Sequence, residues 1–343
     1  MKYLGLEAAE RKALLQAMVT IATANGRHSM SKLDRSMIEG LEHHLLHTYI
    51  DLSTLTHIGP DELASKFRDL EKAETALQFL TILSYTDTTL DVEKLGMVDA
   101  YGAALGVSTD TLELIHLARD NQVKAMEHCI YRKLAADQLA ATETQNGFKA
   151  LKDAIGQRNY DMGVASRYQR LGLLPENSLG RSIWEFYRLR NFAFPGEGTI
   201  DETASFLLVH DTCHVLGGYN STVEGEITVG AFQAGMTKKH SWMFAVVGVL
   251  DFHMGIDAYT GPLKPQKGFM DPEKFTAAFE RGLNMTVDIQ SEWNLWERMD
   301  QNLDDLRREA NIIGAENIHR HLPEGWWNVP REGWWPKPDK ITI

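Results

Sequence analysis

His210 and His214 stand four residues apart in the segment LLVHDTCHVLGGYNSTVEGEI (207–227). On a helix that spacing puts both imidazoles on one face, one turn apart, where they can chelate a single metal ion. Asp211 lies between them and offers either a further ligand or a carboxylate that orients an imidazole. Glu226 follows twelve residues after His214. On one unbroken helix it would lie about 18 Å further along the axis, out of reach. Gly217-Gly218-Tyr219-Asn220 breaks such a helix, and Ser221-Thr222-Val223-Glu224 has the form of a capping box that opens the next one. A helical hairpin would fold Glu226 back over the histidines. Two imidazole nitrogens with one or two carboxylates make a borderline N/O set suited to a divalent ion, zinc first, with iron, manganese and magnesium open. The plainer alternative is a histidine pair that is merely packed or solvated on its helix; the interrupted helix with a returning carboxylate weighs against it.

The elements that must hold these residues read as helices throughout. Residues 7–135 are rich in Ala, Leu, Met, Glu and Lys and contain one proline, Pro60. Leu14, Met18 and Ile21, then Met37, Leu41 and Leu45, follow helical spacing, as do Leu77, Leu80 and Leu83, then Leu95, Val98 and Leu105. The turns TIATANGRHSMSKLD (20–34) and TILSYTDTTLDVEK (81–94) are loosely alike, which suggests two related helical hairpins facing one another. Asp87, Asp91 and Glu93 there are expected to cap and solvate a helix start. KLAADQLAATETQN (133–146) reads as a connector, and the texture changes beyond it: all eight tryptophans and nine of the ten prolines lie in 141–343. Helices are expected over 145–156, 178–190, 203–216, 222–235, 239–255, 272–288 and 296–310, with loops at 195–198 and 261–268. The fold class is therefore all-α, in two helical domains, 1–140 and 141–343.

Charge and composition exclude several partners. The formal net charge of -12, with no long basic run, argues against nucleic acid and against electrostatic capture by anionic lipid. Cys129 and Cys213 cannot build a disulfide framework, and the apolar stretch 13–24 is too short to span a bilayer. The expected location is the cytoplasm, with any membrane contact peripheral, at the inner face, and apolar. Candidates for apolar contact are the run Trp242–Leu250, which could line a groove for a lipid tail or simply be core, and the doublets Glu324-Gly325-Trp326-Trp327 and Glu332-Gly333-Trp334-Trp335. Paired tryptophans suit a membrane interface; without basic neighbours, an arm packed on its own domain, or on a second copy in a homodimer, is preferred. His240 and His253 are expected to be satisfied structural histidines.

The first half resembles the TerB-like helical domain of tellurite-resistance proteins, with Asn25-Gly26 and Asp87-Thr88 at the turns. His-Asp-x-x-His, eleven residues, then Glu resembles the zinc-ligand motif of the fourth coenzyme-Q-biosynthesis protein family. Leu173-Leu174-Pro175-Glu176-Asn177-Ser178-Leu179-Gly180 is similar to that family's Leu-Pro-x-Gly-Thr-Leu-Gly segment, with Asn177 for the usual glycine. Val223–Glu226, Ala231-Phe232-Gln233, Ala278–Gly282 and Leu306–Glu309 are similar to its later helices, so the resemblance covers roughly 145–315. It implies metal ligation by His210, Asp211, His214 and Glu226, and binding of a prenylated aromatic intermediate of ubiquinone assembly. The implied activity is oxidative decarboxylation of the ring, with the ion polarising a carboxylate or phenolate. The alternative is a non-catalytic lipid-binding scaffold for other biosynthetic proteins, with a structural metal. Hydrolase readings are weaker: HDTCH is similar to the protease helix HExxH, but Asp211 replaces the longer glutamate that serves there as base. No acid–base group is identifiable from sequence.

Overall fold

The computed structural model describes residues 5–141, 161–197, 204–237, 242–258, 263–324 and 326. These residues form an all-α fold. No strand occurs among them; isolated β bridges join Ser178 to Asn302 and Met254 to Lys267.

The first part runs α1 (Ala8–Ala22), α2 (Lys32–Leu41), α3 (Pro60–Ala64), α4 (Leu70–Ile82), α5 (Val92–Leu105), α6 (Asp110–Arg119) and α7 (Val123–Ala141). Their starts are set by side-chain caps. Ser31 accepts from Asp34 N, Asp69 from Lys72 N, Asp91 from Glu93 N and Lys94 N, and Thr109 from Leu112 N. Leu14, Met18, Met37, Leu41, Leu77, Leu80 and Val98 are all fully buried, as their spacing requires. The two similar turns meet through one ammonium. Lys94 Nζ reaches both oxygens of buried Asp34 at 2.7 Å and also Asp87, while Asp91 is the helix cap and Glu93 pairs with Arg27. Asp87 is thus an ion-pair partner rather than a solvated cap.

The second part runs α8 (Met162–Arg170), α9 (Leu179–Arg190), α10 (Ala204–Gly217), α11 (Val223–Met236), α12 (Trp242–Phe252), α13 (Pro272–Leu283) and α14 (Leu303–Glu309). Three expected helices are shorter than their sequence patterns, α12 stopping at Phe252 where the pattern runs to 255. α13 stops at Leu283, because Thr286 turns away to hydrogen-bond Ala310 O. α14 begins only after Asn302, whose side chain caps Asp304 N and Asp305 N, and Leu295–Glu297 is a single 3₁₀ turn. The expected helix 145–156 lies outside the described residues.

α11 is the central helix, packed between α12 and α13 at backbone distance. A Cβ on Gly230 would strike Phe244 O of α12, and one on Gly235 would strike Phe279 O of α13. Glycine is what lets these helices approach so closely. The run 242–250 packs into this crossing: Trp242, Met243, Phe244, Ala245, Val246, Val249 and Leu250 are buried. It is core, not the wall of a groove.

The division expected near residue 140 falls at the end of α7, beside residues outside those described. The two parts share one apolar cluster. Phe79 of α4 meets Trp242 of α12 at 5.4 Å, and Trp242 meets Phe279 of α13 at 4.6 Å. His253 donates through Nε2 to Thr86 O (2.7 Å) and accepts at Nδ1 from Met270 N (3.1 Å), so its ring is a neutral, satisfied crosslink. A π-helical turn after α2 (Glu42–Leu46) places His44 between Glu280 (2.7 Å) and Glu273 (2.9 Å) of α13. No described helix is long and apolar enough to cross a membrane.

Candidate metal centre

α10 carries His210 and His214 and ends where the glycines predict. Gly218 takes a left-handed φ of 75°, and the N–H groups of Gly218 and Tyr219 both return to His214 O, at 2.9 and 3.1 Å. Two arginines from later helices satisfy the last carbonyls. Arg307 donates to Val215 O (2.9 Å) and Leu216 O (3.1 Å), and Arg281 to Gly217 O (3.1 Å). Cations at this end also suit the helix dipole. The chain then reverses, and Thr222, not Ser221, caps α11 by accepting from Gly225 N. Ser221 is instead held by buried Arg190 of α9, whose Nε donates to it at 2.7 Å. Burial, with no carboxylate bonded to it, pushes the Arg190 guanidinium down to about 9.

The hairpin brings Glu226 onto both histidines. His210 Nε2 is 3.1 Å from Glu226 Oε2, His214 Nε2 is 3.3 Å from the same oxygen, and the two Nε2 atoms are 3.2 Å apart. The outer ring nitrogens face oxygens. His210 Nδ1 lies 3.2 Å from Gln233 Oε1, and His214 Nδ1 lies 2.9 Å from Tyr219 O. Two imidazole nitrogens and a carboxylate oxygen thus point at one spot. His214 is 1% exposed, but the side chains of His210 and Glu226 are 22% and 20% exposed, so the cluster opens to solvent on their side. Burial opposes the charged forms, but mutual attraction wins. The Glu226 hydrogen bond and charge raise His210 to about 9, and the histidines hold Glu226 well below the usual carboxylate range.

Asp211 stands apart from this triangle. It is buried, it accepts a hydrogen bond from Tyr187 O–H, and burial raises its pKa. Tyr187 stacks on Phe194 at 5.2 Å, and the neighbouring Phe186 stacks on the His214 ring at 5.4 Å. Among the described residues, the metal-type cluster consists of His210, His214 and Glu226, whose ligand atoms all lie within 4.8 Å of one another. His240 lies outside the described residues. Cys213 is fully buried, which pushes its thiol up. Trp326 is 1% exposed and packs on Phe192 at 5.7 Å, so this tryptophan of the tail belongs to the protein's own interior; Trp327, Trp334 and Trp335 lie outside the described residues.

Sequence reasoning assigned no role to Gln233, Tyr219 O, Arg190, Arg281 or Arg307. A signal existed for Gln233: it follows Glu226 by seven residues, two turns along one face of α11. No family model matches the chain, and no curated protein matches it.

Proposed function

We propose that His210, His214 and Glu226 hold one divalent ion, zinc, in a site that takes a prenylated aromatic acid of ubiquinone assembly. The observation that carries the metal is the triangle of 3.1, 3.2 and 3.3 Å edges. Donors about 2.0 Å from a tetrahedral ion stand about 3.3 Å apart, and edges of this length fit one face of such a site. Two imidazoles disfavour magnesium, which prefers oxygen. Two histidines and one carboxylate on one face also suit ferrous iron, and metal analysis separates the two.

Among the described residues three protein donors converge, two of them partly exposed; an ion held by three protein donors keeps a position for substrate, the pattern of a reactive rather than a structural centre. A bound ion would supply Lewis-acid polarisation of a carboxylate or phenolate oxygen. The chain's own part is to hold the donors: α10 fixes the imidazole spacing, the Gly217–Asn220 turn returns Glu226, and Phe186 backs the His214 ring. The likeness of His210-Asp211-x-x-His214…Glu226 to the coenzyme-Q-biosynthesis motif supports the aromatic, prenylated ligand. Any tail binds elsewhere than α12, which is core.

The test is extraction of the purified full chain with organic solvent, followed by titration of a short-chain prenylated hydroxybenzoate against metal-loaded protein. Prenylated species in the extract and saturable binding are expected. Stoichiometric metal with neither result would discard the ubiquinone reading and leave the metal centre standing.

A further inference from the structure

α11 touches the His210 ring at both edges. Glu226 meets Nε2 at 3.1 Å, and Gln233, two turns later, meets Nδ1 at 3.2 Å through Oε1. An amide oxygen only accepts, so Nδ1 carries the hydrogen, and in the neutral ring the lone pair sits on Nε2, facing Glu226 and His214. His214 is fixed in the same sense, its Nδ1 donating to the Tyr219 carbonyl. The two imidazoles are therefore set alike, one by a backbone oxygen and one by a side chain. Gln233 itself is fully buried, and its Nε2 has no hydrogen-bond partner. With an ion bound the reversed amide is excluded, because its N–H would face Nδ1 and put the ring hydrogen on Nε2, where the ion must sit.

We infer that Gln233 is a positioning residue that holds His210 in the Nδ1–H form, with Nε2 directed at the ion and the ring unable to turn. This inference rests on the metal reading above. Metal-bound histidines commonly donate their other N–H to a carboxylate or carbonyl oxygen, and loss of that acceptor typically weakens metal binding roughly 10–100-fold. Glutamate at this position would keep the acceptor and remove the unpaired N–H, whereas methionine would keep the length and remove the acceptor.

The experiment uses the full chain as wild type, Gln233→Met and Gln233→Glu. Zinc affinity is measured by competition with a chromophoric chelator, and the cobalt-loaded proteins are compared by visible absorption. Gln233→Met should bind zinc roughly 10–100-fold more weakly, with an altered cobalt spectrum. Gln233→Glu should bind at least as tightly as wild type, with the wild-type spectrum. Melting of the metal-free forms checks the fold. If Gln233→Met fails to fold, the glutamate variant decides, and weaker zinc binding by it overturns the inference. Wild-type affinity and spectrum in a folded Gln233→Met also overturn it. A wild type that takes up no metal removes the underlying metal reading instead.

Discussion

Replacing Gly230 by alanine sets two effects of opposite sign against each other. Gly230 lies inside α11, four residues past Glu226. In a helix interior, alanine is favoured over glycine by about 0.8–1.0 kcal/mol. A Cβ at Gly230, however, would stand 2.6 Å from the Phe244 carbonyl oxygen and 3.2 Å from its carbon. Ordinary contact begins at 3.4 Å, so α11 and α12 must part by about 0.8 Å. The obstacle is backbone and cannot rotate away. Overpacking of this kind costs about 1–3 kcal/mol, leaving a net loss of up to about 2 kcal/mol. Metal–ligand distances tolerate only about 0.2 Å, and Glu226 and Gln233 both ride on the helix that must move. Gly230→Ala should therefore lower the melting temperature by up to about 3 °C, at about 1–2 °C per kcal/mol for a chain of this size, and weaken zinc binding roughly tenfold or more. Differential scanning calorimetry and chelator competition measure the two effects. A variant that melts higher than wild type and keeps its zinc affinity would mean that helix propensity alone acts, and that the close approach is not what positions the site.

His44 offers a pH test. Burial opposes its charge, but hydrogen bonds to Glu273 and Glu280 outweigh that and raise its pKa. Its stabilisation is then full below the unfolded value of about 6.5 and lost as pH rises through the raised one. Because Glu273 is largely exposed, the gap between wild type and His44→Gln should be about 1 kcal/mol at pH 6 and close at alkaline pH; a gap that widens with pH would contradict the assignment. Lys94→Met should destabilise by about 3 kcal/mol or more, since it strands buried Asp34, and adding Asp34→Asn should recover part of the loss in urea melts. A fragment of residues 141–343 would expose the Trp242 and His253 contacts with α4 and Thr86. It should bind an environment-sensitive apolar dye that the full chain does not, and a well-folded fragment without dye binding would show that the shared cluster is dispensable.

What the sequence made legible was what acts locally. The His210/His214 spacing, the glycine break and the return of Glu226 depend on helix period and end chemistry, and the structure closes them into one triangle. The cap moved only from Ser221 to Thr222, because Arg190, fully buried between α9 and the loop, takes the serine. What could not be read came from distant residues. Arg281 and Arg307 reach the end of α10 from 64 and from 91 and 92 residues away, and Tyr219 acts through a carbonyl that every residue type carries. Gln233 was visible in principle at helical spacing from Glu226, but a glutamine in an apolar helix carries no signature until its partner ring is placed. The apolar run 242–250 reads the same in a groove wall and in a core. Only its burial between α11 and α4 decides, because glycine at 230 and 248 lets backbone fill the space a ligand would need.

Two imidazoles and one carboxylate of a single hairpin are expected to bind one ion. The most direct test is elemental analysis of the purified full chain beside a His210→Ala/His214→Ala double variant, with X-ray absorption at the zinc edge on the wild type. Expected are one zinc per wild-type chain, none in the double variant, and a nearest shell of nitrogen and oxygen donors at about 2.0 Å that includes two imidazoles. Equal metal in both proteins, or a sulfur-containing shell, would contradict this assignment.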